Sequence, residues 1–197
     1  MVHTIGDSHA GGVSNLTGAF DKISGIKRHW LGPRLMYSIS KEGLNLNSLS
    51  IQSVDTIILC FGEIDCRCHV HKFITQNTYQ QIIDELVESY FNLIKNFIEN
   101  YDVKVIVYNV VPSVRKGSVE ENESYPLLGT DEERKSYVTY MNSKLSENCD
   151  RHNLLFLDVY NNYICQDGFL KKEFSDGNVH VTEPSFIEDY LKKNNIL

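Results

Sequence analysis

The chain reads as an α/β protein: a parallel sheet with helices on both faces. Apolar, β-branched runs alternate with helical patterns along the 197 residues. Two of those runs, 56–61 and 104–111, are apolar almost throughout, as strands buried on both faces must be. No repeat or low-complexity tract breaks the alternation. One unit spanning 1–197, with a sizeable core, is the expectation at this length.

Val2-His3-Thr4-Ile5 is the first strand, and Gly6-Asp7-Ser8-His9 follows it as a tight turn. Ala10 to Phe20 is small and polar, a loop with at most a short helix. Ile26 to Leu31 is a second strand, ended by Gly32-Pro33; Pro33 suits the first turn of a helix through Arg34 to Ser38. Thr56 to Phe61 is the third strand, and Cys66 to His71 reads as a cleft loop leaving it. From Asn77 to Asn100, Ile82, Ile83, Leu86, Val87, Tyr90, Leu93, Ile94 and Phe97 recur at helical spacing. Lys104 to Val111 is the fourth strand, stopped by Pro112, and 113–130 is a polar loop. Asp131 to Asn148 is a helix and Leu154 to Val159 the last strand. Residues 160–182 are irregular, and Glu183 to Lys193 is a closing helix with Pro184 in its first turn.

Composition narrows the function. A net charge of -7 disfavours nucleic acid, whose phosphates must be met by Lys and Arg. No apolar run approaches the roughly 20 residues of a membrane helix, and no basic-then-apolar leader opens the chain. A cytoplasmic protein with no membrane partner is expected. The five cysteines are odd in number, which favours reduced thiols over a disulfide framework. Cys66-Arg67-Cys68 is spaced too tightly for a paired zinc motif, so neither metal nor cofactor is expected.

In parallel sheets, ligand sites lie beyond the carboxyl ends of the strands. Ser8, Gly32 and Glu63-Ile64-Asp65 each follow such an end. A serine on a glycine-opened turn can present its hydroxyl to a cleft as a nucleophile, though Asp7 or Ser8 could equally be a plain helix N-cap. A nucleophile needs a base, and the base needs an orienting group. Among seven histidines, His180 shares a short loop with Asp176, where an Asp–His bond would fix the tautomer; the plain alternative is a surface turn at Asp176-Gly177. His9 lines the cleft or points away, and His3 is structural. Arg67 could bind an anionic group or pair with Glu63 or Asp65.

Taken together, these residues resemble the SGNH, or GDSL-type, hydrolase family. Gly6-Asp7-Ser8 matches its first block, Gly32 in Leu31-Gly32-Pro33 its second, Gly62-Glu63-Ile64-Asp65 its third, and Asp176 with His180 its last. The resemblance implies a flavodoxin-like three-layer α/β/α sandwich with about five parallel strands. It also implies a metal-independent esterase or acyltransferase. Ser8 would be nucleophile, His180 base and Asp176 its orienter, with the Ser8 and Gly32 amides holding the oxyanion. Two departures stand out. Ile64 replaces the asparagine of the third block, and three residues rather than two separate Asp176 from His180; Asp167 is a weaker substitute for Asp176. Arg67 is expected near Ser8 to supply the missing donor, with Glu63 and Asp65 holding its guanidinium and His9 beside them.

Many such enzymes act on O-acylated carbohydrates, and Trp30, Tyr37, Tyr108, Tyr125, Tyr160 and Tyr163 fall at or near strand ends and loops, where rings could stack on sugars, though the plain reading of most of them is core packing. The expected partner is therefore a small-molecule or glycan ester. Two other classes stay open: a carbohydrate-binding module that has lost catalysis, and a nucleotide or phosphate binder. The second lacks any glycine-rich phosphate fingerprint.

Overall fold

The computed structural model describes residues 1–197. Five strands form one sheet, β1 (Val2–Gly6), β2 (Ile26–Trp30), β3 (Thr56–Cys60), β4 (Lys104–Tyr108) and β5 (Leu155–Leu157). Their order is β2-β1-β3-β4-β5, and every pair is parallel. This is the doubly wound order whose switch point falls between β1 and β3, where chains of this topology place ligands.

Strand alternation divides the core in two. Ile57, Leu59, Val105 and Val107 face one side, under α1 (Met36–Glu42), α3 (Tyr79–Tyr101) and α4 (Asp131–Arg151). Ile58, Cys60, Ile106 and Tyr108 face the other, under Phe20, Ile23, Tyr163 and α6 (Ser185–Lys193). The first layer is thick because α3 and α4 are long and carry buried stripes. Both begin with a reciprocal cap: Thr78 with Gln81, and Thr130 with Glu133. The second layer is built mostly from short turns and loops, plus α5 (Tyr160–Tyr163).

Several boundaries differ from those read in the sequence. α1 starts at Met36, past Pro33, because the Asp65 carboxylate accepts the Met36 and Tyr37 amides and fixes the first turn there. β4 stops at Tyr108, though Val110 and Val111 remain buried, because the Val110 amide turns to the Asn142 side chain. The larger correction concerns the stretch after β3. It is a helix, π-wound over Asp65–His69 and α-wound as α2 over Val70–Phe73, not a loop. Residues 64, 65, 66, 68 and 70 are buried, but one is an aspartate and two are cysteines, so the sequence shows no apolar stripe there. Wide turns of this kind recur at functional sites.

No helix is long and apolar enough to cross a membrane. Cys60, Cys66, Cys68 and Cys149 are buried, Cys165 is half-buried, and all five are free thiols. Cys68 donates to the Ile64 carbonyl at 3.2 Å and Cys66 lies on the Met141 sulfur, so both act as small core groups.

Candidate active site

The site starts with Gly6. A Cβ there would lie 2.0 Å from the Cys60 carbonyl oxygen, so only glycine lets the ends of β1 and β3 close up. The chain then turns at Asp7, whose Oδ1 accepts the His9 amide at 2.9 Å and starts a single 3-10 turn, Ser8–Ala10. This cap holds Ser8 just beyond the carboxyl edge of the sheet.

His180 arrives from the opposite end of the sequence. Ser8 Oγ and His180 Nε2 are 2.8 Å apart, and His180 Nδ1 and Asp176 Oδ2 are 2.7 Å apart. With a proton on Nδ1, the imidazole donates to the carboxylate and leaves Nε2 to accept the serine hydroxyl. The longer Asp176–His180 spacing works because the loop is a narrow hairpin. Ser175 bridges to Val181, the Asp176 amide donates to the His180 carbonyl, and Gly177 takes the left-handed φ of 88°. Asp176 Oδ1 also collects the Asn178 and His180 amides. Burial works to raise the Asp176 pKa, but the His180 imidazole and these amides outweigh it and hold the carboxyl below its usual range. Asp167 lies elsewhere, paired with Arg115 and Cys165 at the surface.

Gly32 has a φ of 81° in open space, and the preceding Leu31 amide donates to Gly6. Neither the Gly32 amide nor the Ser8 amide donates to another group of the protein. Both remain free to receive an anion. Ile64 is buried at 3 % exposure and offers no side-chain donor.

Around Ser8 lies a half-buried charged cluster. An Arg67 guanidinium nitrogen is 3.2 Å from Glu63 Oε2, and His9 Nε2 is 3.8 Å from the same oxygen. The His9 and His180 rings are 5.0 Å apart. Asp65 does not hold Arg67. Both its oxygens are spent on the α1 amides and it is fully buried, so it serves the fold and cannot meet a substrate. Its role as a helix cap had no sequence signal, because the helix it caps lies 29 residues earlier. Burial pushes the Asp7 carboxyl up to about 6 and the Asp65 carboxyl up to about 7. Of the aromatics, Trp30 and Tyr37 are exposed, whereas Tyr108 and Tyr163 are core residues.

No protein-family model matches the sequence, and no curated protein does. Solved structures do. A GDSL-like lipase from Bacteroides thetaiotaomicron superposes with a TM-score of 0.65 at 16% identity, covering 99% of this chain and 86% of its own. A catalytic mutant of an acetylxylan esterase from Geobacillus stearothermophilus gives 0.62 at 13%, covering 98% and 92%. Phospholipase A1 from Streptomyces albidoflavus gives 0.58 at 12%, covering 98% and 97%. The likeness runs the whole length of the chain while sequence identity has almost vanished. The chain has the α/β fold of the GDSL-type, or SGNH, hydrolases.

Proposed function

We propose that this protein is a serine-dependent ester hydrolase or acyltransferase, acting on small acyl esters such as O-acetyl groups of a carbohydrate. The observation that carries it is the run of contacts Ser8 Oγ, His180 Nε2, His180 Nδ1, Asp176 Oδ2, at 2.8 Å and 2.7 Å. A binding protein has no use for a hydroxyl held on a carboxylate-backed imidazole. An acyl-transfer enzyme needs that arrangement.

The chemistry follows from the geometry. Ser8 Oγ attacks the ester carbonyl carbon as its proton passes to His180 Nε2. Asp176 stabilises the imidazolium and keeps Nδ1 protonated. The carbonyl electron pair moves onto oxygen, where the Ser8 and Gly32 amides receive the charge. Collapse restores the carbonyl, breaks the bond to the alcohol and returns the proton from His180 to it. Water or a second alcohol then repeats the sequence on the acyl-serine. The acetylxylan esterase and the lipases with this fold favour ester chemistry, and exposed Trp30 and Tyr37 are the rings available to a sugar.

Hydrolysis of p-nitrophenyl acetate by the wild type and by Ser8→Ala tests this. The variant should lose roughly 10⁴- to 10⁶-fold in kcat with its melting temperature nearly unchanged. Equal turnover in both would remove Ser8 from the mechanism. No turnover in either, with a glycan still bound, would favour the carbohydrate-binding alternative.

A further inference from the structure

Ser8, His180 and Asp176 leave a second group of polar residues unused. Six buried side-chain polar atoms in the whole chain lack a hydrogen-bond partner. Four of them, Asp7 Oδ2, His9 Nε2, Glu63 Oε2 and Arg67 Nε, sit in this one cluster. Glu63 Oε2 meets Arg67 at 3.2 Å and His9 Nε2 at 3.8 Å, so charge holds the group together while its polar atoms keep hydrogen-bonding capacity to spare. The cluster is also beside the one defect in the site, because Ile64 supplies no third oxyanion donor.

His9 is the member best placed to act. It follows the nucleophile directly in the chain, its side chain is only 7% exposed, and its ring packs at 5.0 Å against that of His180. Asp7 flanks it through the turn, and Glu63 lies 3.8 Å from its Nε2. Burial alone would favour neutral His9, but the Asp7 and Glu63 carboxylates outweigh it and raise its pKa. Glu63 would be raised by burial too, yet Arg67 and His9 hold it charged. Cys60 and Tyr108, which line the same recess, are pushed far up by burial and stay neutral. Arg67 pairs with Glu63 and holds that carboxylate charged, while its own positive charge opposes protonation of His9.

We propose that His9, as an imidazolium, is the third donor to the oxyanion, that Glu63 is the positioning residue that keeps it charged, and that Arg67 holds Glu63 in place. This rests on the ester-hydrolase reading above. In the tetrahedral step Ser8 Oγ bonds to carbon, its proton goes to His180, and the carbonyl pair moves to oxygen. His9 donates a hydrogen bond to that oxygen and keeps its own proton throughout. The charge of Glu63 offsets the repulsion between His9 and the newly formed His180 imidazolium, since its carboxylate acts on both rings.

The test is a pH–rate profile of the wild type, His9→Leu, His9→Gln and Glu63→Gln, with far-UV circular dichroism to verify folding. As pH rises through the raised His9 pKa the proton is lost, so wild-type kcat should fall on the alkaline side. His9→Leu should lose about 10²–10³-fold in kcat with KM little changed. His9→Gln should recover part of that loss and show no alkaline fall. Glu63→Gln should move the fall to lower pH. A second readout is the histidine Cε1–H proton signal that disappears in His9→Gln. In the resting wild type it should titrate above the ordinary histidine value of about 6.5. Full kcat in His9→Leu, an unchanged alkaline limb in His9→Gln, or a His9 signal titrating at or below 6.5 would overturn the assignment while leaving Ser8 and His180 in place. A wild type that hydrolyses no ester would remove the ester-hydrolase reading, and this proposal with it.

Discussion

Two histidine–aspartate pairs sit at opposite edges of the same sheet. At the carboxyl edge, His180 spends Nδ1 on Asp176 and turns Nε2 to the Ser8 hydroxyl. At the amino edge, His3 meets Asp55 through Nε2 at 3.2 Å and His29 through Nδ1 at 2.9 Å. Asp55 is fully engaged as well, by the Met1 ammonium and the Gln52 amide. His3 is 1% exposed and has no nitrogen left for a substrate. The difference teaches that a His–Asp pair by itself does not make the arrangement the proposed activity needs. What matters is where the second nitrogen points, and whether a nucleophile and free amides share that edge.

The sharpest way to break this contrast is to neutralise each aspartate in turn. Asp176→Asn should lower kcat by about 10⁴-fold, because the His180 tautomer is no longer fixed. Asp55→Asn should leave kcat within a few fold and instead lower stability by about 1–3 kcal/mol, since an ammonium and an imidazole lose their charged partner. Steady-state kinetics and urea melts on both variants check this. A catalytic defect in Asp55→Asn with no loss of stability would erase the distinction.

A smaller effect sharpens it. Burial holds His3 below the usual histidine range against the pull of Asp55, and burial beside His3 does the same to His29. Below pH about 6.5 the unfolded chain therefore binds more protons than the folded one. The pair's contribution to stability is present above that pH and is lost as the pH falls. The slope is at most about 1.4 kcal/mol per pH unit per proton. In His3→Gln the fall in melting temperature between pH 7 and pH 5 should be shallower. An identical slope would mean that His3 does not titrate on unfolding.

The sequence carried the fold clearly, because β3 and β4 are apolar on both faces and α3 is strongly periodic. Strand limits slipped where local chemistry overrode the apolar pattern, as at Val110, whose amide prefers the Asn142 side chain. Ser8, Asp176 and His180 were legible through short motifs at strand ends and on one loop. Two things were not. The helix after β3 was hidden because an aspartate and two cysteines are among its buried residues, which leaves no apolar stripe. The separate duties of Glu63 and Asp65, one facing Arg67 and the other capping α1, depend on which side of that helix each occupies. A spacing of two residues cannot reveal that unless the helix is known.

The central claim is that Ser8 is an activated nucleophile, and it can be read from mass alone. The protein is treated with a fluorophosphonate and its peptides are mapped by mass spectrometry. One adduct should appear, on the peptide carrying Ser8, and its formation should be at least about 10³-fold slower in His180→Ala. No adduct on the folded wild type, or an adduct only on another residue, would contradict the claim.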